Sequence, residues 1–174
     1  LNGNISYKGT NNFNKKIMSK IENILKLEAE IKIIEAIGEI SWQKKEETED
    51  FSSLTDEEKV FVFVDLFEGA MGEGGFQFFF SSEAGDFAEE VITSYKEIKA
   101  FKTAELISKA LGLFPAKTYS PDVEKRIAFI EKADENIISG WEDLDELFFE
   151  DETEEDIVTL IVDYIKANEN QFGA

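Results

Sequence analysis

Signals that start a helix recur along this chain, and apolar residues spaced three and four apart follow them. Thr55 and Glu58 give the clearest signal: in a capping box the hydroxyl and the carboxylate each satisfy a free backbone donor. Val60, Phe63, Val64, Phe67 and Met71 then fall at helical spacing. The run VFVFV over 60–64 also alternates like a strand, but the preceding cap and the spacing that persists to Met71 favour a helix. Asp86 and Glu89 offer a second capping box, ahead of Phe87, Val91, Tyr95 and Ile98 on one face. Ala104, Ile107 and Leu111 mark a short amphipathic helix that ends before Pro115. Ser120 followed by Pro121 reads as an N-cap with proline at the first helical position, ahead of Val123, Ile127, Ile130 and Ala133. Ile137, Trp141, Leu144 and Phe148 form the next stripe. Thr153 is expected to cap a last helix with Ile157, Leu160, Ile161 and Tyr164 inward, and with Glu154, Glu155 and Asp156 in its first turn against the helix dipole.

The N-terminal part is plainer. Residues 1–12, LNGNISYKGTNN, are polar and rich in Gly and Asn, and read as a flexible segment. Residues 13–53 read as a helical extension and a charged connector. Ile17, Ile21, Ile24 and Leu25 open a helical pattern that runs to about Trp42, with Gly38 as a candidate break. No βαβ spacing, hairpin dipeptide or internal repeat competes. The expected fold is all-α, a single compact domain of about seven or eight helices.

Charge bounds what such a domain does. Eighteen basic residues against 38 acidic ones give a net charge of −20. Residues 1–40 hold six Lys and five Glu, so the remainder carries −21 from 12 basic and 33 acidic residues. Between Ala133 and Ile165 there are thirteen carboxylates and no Lys or Arg. Direct binding to nucleic acid is disfavoured, because phosphates are neutralised by Lys and Arg. A surface of this sign attracts proteins with basic clefts, or simply keeps a chain with 16 Phe soluble. There is no Cys and no His, which removes disulfides, thiolate nucleophiles, the usual zinc sets and every triad that needs imidazole. A carboxylate-only site for Mg²⁺, Ca²⁺ or glycoside hydrolysis is the enzyme alternative, but nothing in the sequence marks a cleft around the acids. The chain therefore reads as a binding protein, not an enzyme, with no cofactor and no metal. No apolar run is long enough for a membrane span, and the lack of Cys fits a cytoplasmic setting. Leu1 in place of Met reads as a processed or excised start, and a removed leader stays open.

Two stretches carry the strongest local signals. GEGGFQFFF, residues 72–80, lacks the Lys-Ser or Lys-Thr of a phosphate loop and the spacing of a dinucleotide turn. Gly74 and Gly75 are expected to reverse the chain, since glycine admits positive φ and close approach. Phe76, Phe78, Phe79 and Phe80 are expected mostly in the core, with an interface between two copies as the other destination for one or two of them. The second stretch, EDLDELFFEDETEED over 142–156, packs ten carboxylates into fifteen residues. On a helix Asp143, Glu146 and Glu150 share one exposed side opposite Leu144 and Phe148, with Asp145 at the boundary. The spacing is not that of a calcium-binding hand.

From about Thr55 to Asn168 the order GGFQFFF, AGDFAEE, IKAFKTAELI, LFP, SPDVEKR and DLDELFFE resembles the DNA-mimic-protein-nineteen family, whose shared domain was long labelled only as of unknown function. Gly74, Gly75 and Phe76 match its most specific part, and Leu144 and Asp145 keep a Leu-Asp pair. Glu73 and Ser81 stand where the family usually has Asn, and Lys99 stands at the Gly of its Ile-Gly-Ala. The resemblance implies an all-helical fold, with residues 54–170 as a DNA-mimic-like helical domain. For the family's namesake it implies an acidic surface that occupies the DNA-binding site of a transcription regulator. The expected partner is thus a basic protein, a DNA-binding regulator, bound by Asp143, Glu146, Glu150, Asp151, Glu152, Glu154 and Glu155, with Glu46, Glu47, Glu49 and Asp50 as a second acidic group. An immunity-type module that neutralises a basic toxin uses the same charge and is the alternative.

Overall fold

The computed structural model describes residues 20–48, 50–115, 118–150 and 153–173. Among these residues regular structure is all helix, as expected, and no strand occurs. Residues 20–24 are helical and residues 25–29 interrupt them, so the helical pattern read up to about Trp42 breaks there and not at Gly38. Ile17 lies outside the described residues. The helices that follow are α1 (Glu30–Glu46), α2 (Asp56–Ser81), α3 (Ala88–Glu97), α4 (Phe101–Gly112), α5 (Val123–Ile130), α6 (Glu135–Phe149) and α7 (Ile157–Ala167). Short 3₁₀ turns occupy Glu83–Phe87 and Glu169–Gln171. No described helix is long and apolar enough to cross a membrane.

Helix α2 is the axis of the fold, packed against α1, α3, α5, α6 and α7. It is apolar on nearly every side, the pattern of a central rather than a surface helix. Phe61, Val62, Phe63, Val64, Phe67, Ala70 and Met71 are all buried, so the stripe read from the sequence is too narrow. The capping box forms: Glu58 N–H donates to Thr55 Oγ1 at 3.1 Å and Thr55 N–H donates to Glu58 Oε2 at 2.8 Å. Glu58 is fully buried and also receives Lys44 Nζ and the Gly173 N–H, each at 2.8 Å. The cap of α2 is therefore a junction with α1 and the C-terminal segment.

Gly74 and Gly75 do not reverse the chain. They kink α2, which resumes at Phe76. Gly75 sits at φ 67° and ψ −158°, a region open essentially only to glycine. The turn that restarts leaves free backbone donors, and Phe76 N–H finds Asp145 Oδ1 of α6 at 2.8 Å. Past the kink Phe76, Phe79 and Phe80 are fully buried, while Phe78 is 40% exposed. Phe67 meets Phe79, Tyr95 and Phe148 edge to face, at centroid distances of 5.0, 5.5 and 5.7 Å. Phe80 extends the cluster to Phe114 and Trp141 at 5.0 and 5.2 Å.

Arg126 closes the far end of α2. Its fully buried guanidinium donates to Phe80 O at 2.8 Å, Ser82 O at 2.7 Å, Ser120 O at 2.7 Å and Asp86 Oδ1 at 2.6 Å. A planar fork of five donors suits carbonyls left over at a helix end. Asp86 is thus spent on Arg126 and forms no capping box: the 3₁₀ turn runs straight into α3, whose N-cap Phe87 makes no side-chain cap bond. Three other expected boundaries also move. Asp122 rather than Ser120 caps α5, accepting from Glu124 N–H and Lys125 N–H; Arg126 is the fully buried residue of that helix, Ile130 is half-buried against the core as expected, and Ile127 is exposed. Asp156 rather than Thr153 caps α7, which leaves Glu154 and Glu155 ahead of the helix. Gly38 leaves α1 unbroken and lies against the Phe61 ring. The stripe on α6 holds: Trp141 is fully buried with its indole N–H on Ala110 O at 2.9 Å, and Ile137, Leu144 and Phe148 are half-buried.

Candidate acidic binding surface

Because Trp141, Leu144 and Phe148 turn one side of α6 to the core, the opposite side must face water. Glu142, Asp143 and Glu146 on the helix and Glu150 at its C-cap are all exposed. With a rise of about 1.5 Å per residue, these four carboxylates span about 12 Å, or one per 4 Å. One strand of duplex DNA carries a charge about every 3.4 Å. None of the four forms an ion pair among the described residues. The row is a dense, uncompensated line of negative charge on a rigid element.

Neighbours in the same stretch do different work. Asp145 points inward and is half-buried; beyond holding Phe76 N–H, its carboxylate oxygens lie where a Gly75 Cβ would be, the nearest at 2.3 Å. Burial pushes its carboxyl above the usual range, opposed by the hydrogen bond from Phe76 and helped by Glu142. Glu155 accepts Lys102 N–H at 2.9 Å and both the N–H and Oγ1–H of Thr103 at 2.8 Å. Ala100, the N-cap of α4, has no side-chain acceptor, and a glutamate from the loop before α7 closes that helix end. Glu154 is exposed, at φ 53°, with Lys102 Nζ at 3.6 Å. Asp151 and Glu152 lie outside the described residues. Asp156 is exposed and held below the usual range by its hydrogen bonds from Thr159.

The second acidic group stands elsewhere. Glu46 and Glu47 end α1 and Asp50 follows in the turn, all three exposed, while Glu49 lies outside the described residues. Asp50 Oδ1 accepts Ser52 N–H at 2.8 Å, and that turn's hydrogen bonds hold its carboxyl below the usual range. Lys44 and Lys45 belong to the same turn, Lys44 on Glu58 and Lys45 over the Phe51 ring at 5.5 Å, so this group is diluted by cations where the α6 row is not. The two groups are not brought together. Thr159 Oγ1 joins Glu30 at the start of α1 to Asp156 at the start of α7, each at 3.0 Å, whereas Glu46 is at the other end of α1. The sixteen rises between Glu30 and Glu46 amount to about 24 Å.

Sequence reading passed over Asp65 and Glu68, two acids one turn apart on the otherwise apolar α2. Trp42 Nε1–H donates to Asp65 Oδ2 at 2.7 Å and Tyr95 Oη–H to Glu68 Oε1 at 2.5 Å. Burial raises the Glu68 carboxyl, and burial with the neighbouring Glu68 raises the Tyr95 hydroxyl well above its ordinary range. The available signal was a carboxylate pair at i and i+3 inside a hydrophobic run. Among the described residues no cluster of three or more acids is arranged to hold a metal ion.

The model of one protein family, described as DMP19-like protein, matches residues 52–168. No curated protein and no solved structure matches the chain. The matched segment contains α2 to α7, and so holds the kink, Asp145, Arg126 and the acidic row of α6.

Proposed function

The chain belongs to the DMP19-like protein family, and from that premise we propose that it is a non-catalytic binding protein whose α6 acids take the place of DNA phosphates in the basic site of a DNA-binding protein. The observation that carries this reading is the row Glu142, Asp143, Glu146 and Glu150, exposed and without ion pairs among the described residues on a helix whose other side is locked into the core. Glu154 is exposed too, but has Lys102 Nζ at 3.6 Å and stands outside the row. Glu155, used to close α4, positions the loop instead of meeting the partner. Each exposed pair contributes little alone, so affinity comes from many charges together and falls as salt rises.

The test is capture of DNA-binding proteins from a lysate on the immobilised chain, at about 50 and about 500 mM salt, with duplex DNA as competitor. Mimicry requires that a DNA-binding protein is retained at low salt, released at high salt and displaced by duplex DNA. It also requires that D143N/E146Q/E150Q loses that protein. Capture that ignores both duplex DNA and the triple substitution removes the reading. A basic nuclease captured in place of a regulator moves it to neutralisation of a toxin.

A further inference from the structure

Helices α1, α2 and α7 leave a cleft of about 220 Å³ between them. Its walls are Ile34, Phe61, Val64 and Ile161, and its mouth is Ile31 and Val158, which are 51% and 38% exposed. Asp65 and Glu68 are the charged groups in its lining, and among the described residues no Lys or Arg lines it. One oxygen of each carboxylate is taken by Trp42 or Tyr95, and among the described residues the other accepts no hydrogen bond. Glu30 and Asp156, both bonded to Thr159 beside Val158, add two more acids at that end of α1 and α7.

Apolar walls leading to two half-satisfied carboxylates fit a cation on an apolar stem. The volume is below the roughly 300–1,000 Å³ of sites for drug-sized ligands, and matches one long side chain. Arg and Lys both lay an aliphatic stem on apolar surface and keep a charged head at polar groups. Arginine is the better match, because its planar fork reaches two carboxylates at once and because Arg is enriched in interface cores where Lys is depleted. We propose that this cleft receives one arginine side chain of the basic partner, its stem against Phe61, Val64 and Ile161 and its guanidinium on Asp65 and Glu68. The proposal rests on the reading of a basic partner and adds to the diffuse α6 row a single anchoring pocket, the arrangement in which interface energy concentrates. The raised Glu68 carboxyl agrees with it: an arriving cation relieves the cost of burying that charge.

The free chain tests this without any partner. N-acetyl-arginine methylamide is titrated into the isotopically labelled protein, and the Trp42 indole N–H, which rests on Asp65, is followed by NMR with the methyls of Val64, Val158 and Ile161. A saturable shift with a dissociation constant on the order of a millimolar is expected, and the neutral isostere N-acetyl-citrulline methylamide should leave these signals unchanged. E68Q should weaken the arginine probe by at least about tenfold. I31K, at an exposed position, should abolish binding with the core spectrum intact, so the test survives if E68Q fails to fold. Equal shifts with arginine and citrulline, no shift with arginine, or an unchanged affinity in I31K overturns the proposal. Arginine binding without capture of any DNA-binding protein removes mimicry and leaves the cleft. Capture without arginine binding does the reverse.

Discussion

Asp143 and Asp145 are two residues apart on one helix and carry the same side chain, yet they belong to different regions of the molecule. Asp145 faces the kink in α2, holds Phe76 N–H and lies against Gly75 where a Cβ would otherwise be. Asp143 faces water and forms no ion pair among the described residues. The same division separates Glu155, bonded to Lys102 and Thr103, from Glu150, which is exposed at the end of α6. A charge count treats these carboxylates alike. What distinguishes them is whether a backbone donor from another element has claimed them, and only unclaimed acids are open to a partner.

The inward polar region is expected to fail hardest when its central charge is removed. Arg126→Ala leaves the Asp86 carboxylate and the carbonyls of Phe80, Ser82 and Ser120 without their donor. Loss of one partner of a buried pair costs about 3–5 kcal/mol, to be read from urea or guanidinium midpoints. Arg126→Lys should recover only a part, since an ammonium cannot reproduce the fork. A cost below about 1 kcal/mol, the range of an exposed pair, would erase the contrast between the two regions.

Gly75→Ala comes next. A non-glycine residue at φ 67° and ψ −158° costs about 1–3 kcal/mol, and the new Cβ would also lie on the Asp145 carboxylate. Together these should reach about 3 kcal/mol. Asp145→Ala alone should cost about 1–3 kcal/mol, because Phe76 N–H is left unpaired in a partly buried setting. The double variant should be less destabilised than the sum, as removing the carboxylate removes the clash. Strict additivity would show that the kink does not depend on Asp145.

These residues also mark where the sequence stops being readable. The Thr55–Glu58 cap, the helical reading of VFVFV and the burial of Phe76, Phe79 and Phe80 were legible, because caps and apolar periodicity are local and lie within one turn of the residue concerned. Asp145 on Phe76, Glu155 on Thr103 and Arg126 on Phe80 join residues 69, 52 and 46 positions apart. No periodicity encodes such pairs. For the same reason Asp86, Ser120 and Thr153 looked like caps by type and position, while Arg126 claims Asp86 and the real caps are Asp122 and Asp156. The exposed side of α6 was legible from its buried side. The separation of Glu46, Glu47 and Asp50 from the acids of α6 was not, because it follows from the direction in which α1 is packed.

Lys99 offers a smaller test on neutral ground between the two regions. It ends α3 at φ 70°, with Ala100 N–H returning to Tyr95 O at 2.8 Å, the left-handed closure that helices usually give to glycine. An L-residue there pays about 1–2 kcal/mol of steric strain, partly offset by the entropy that glycine loses on folding. Lys99→Gly should therefore stabilise the protein by about 1 kcal/mol or less. A loss of stability would mean that the Lys99 side chain makes contacts that outweigh its backbone strain.

The smallest expected effect on stability is the most informative. D143N/E146Q/E150Q removes three exposed charges from one side of α6 and touches no hydrogen bond that joins elements. Like charges at three and four residues repel by a few tenths of a kcal/mol per pair, so stability should stay within about 0.5 kcal/mol of the parent or rise slightly. Glu155→Ala, one further acid of the same stretch, should cost about 1 kcal/mol, the usual penalty for losing a helix cap. Binding should follow the opposite order: the triple variant releases the partner and the Glu155 variant weakens it only through the displaced loop. If the triple variant were destabilised by more than about 1 kcal/mol, those acids would belong to the fold as Asp145 does. A surface spent on the fold has little left to offer a partner.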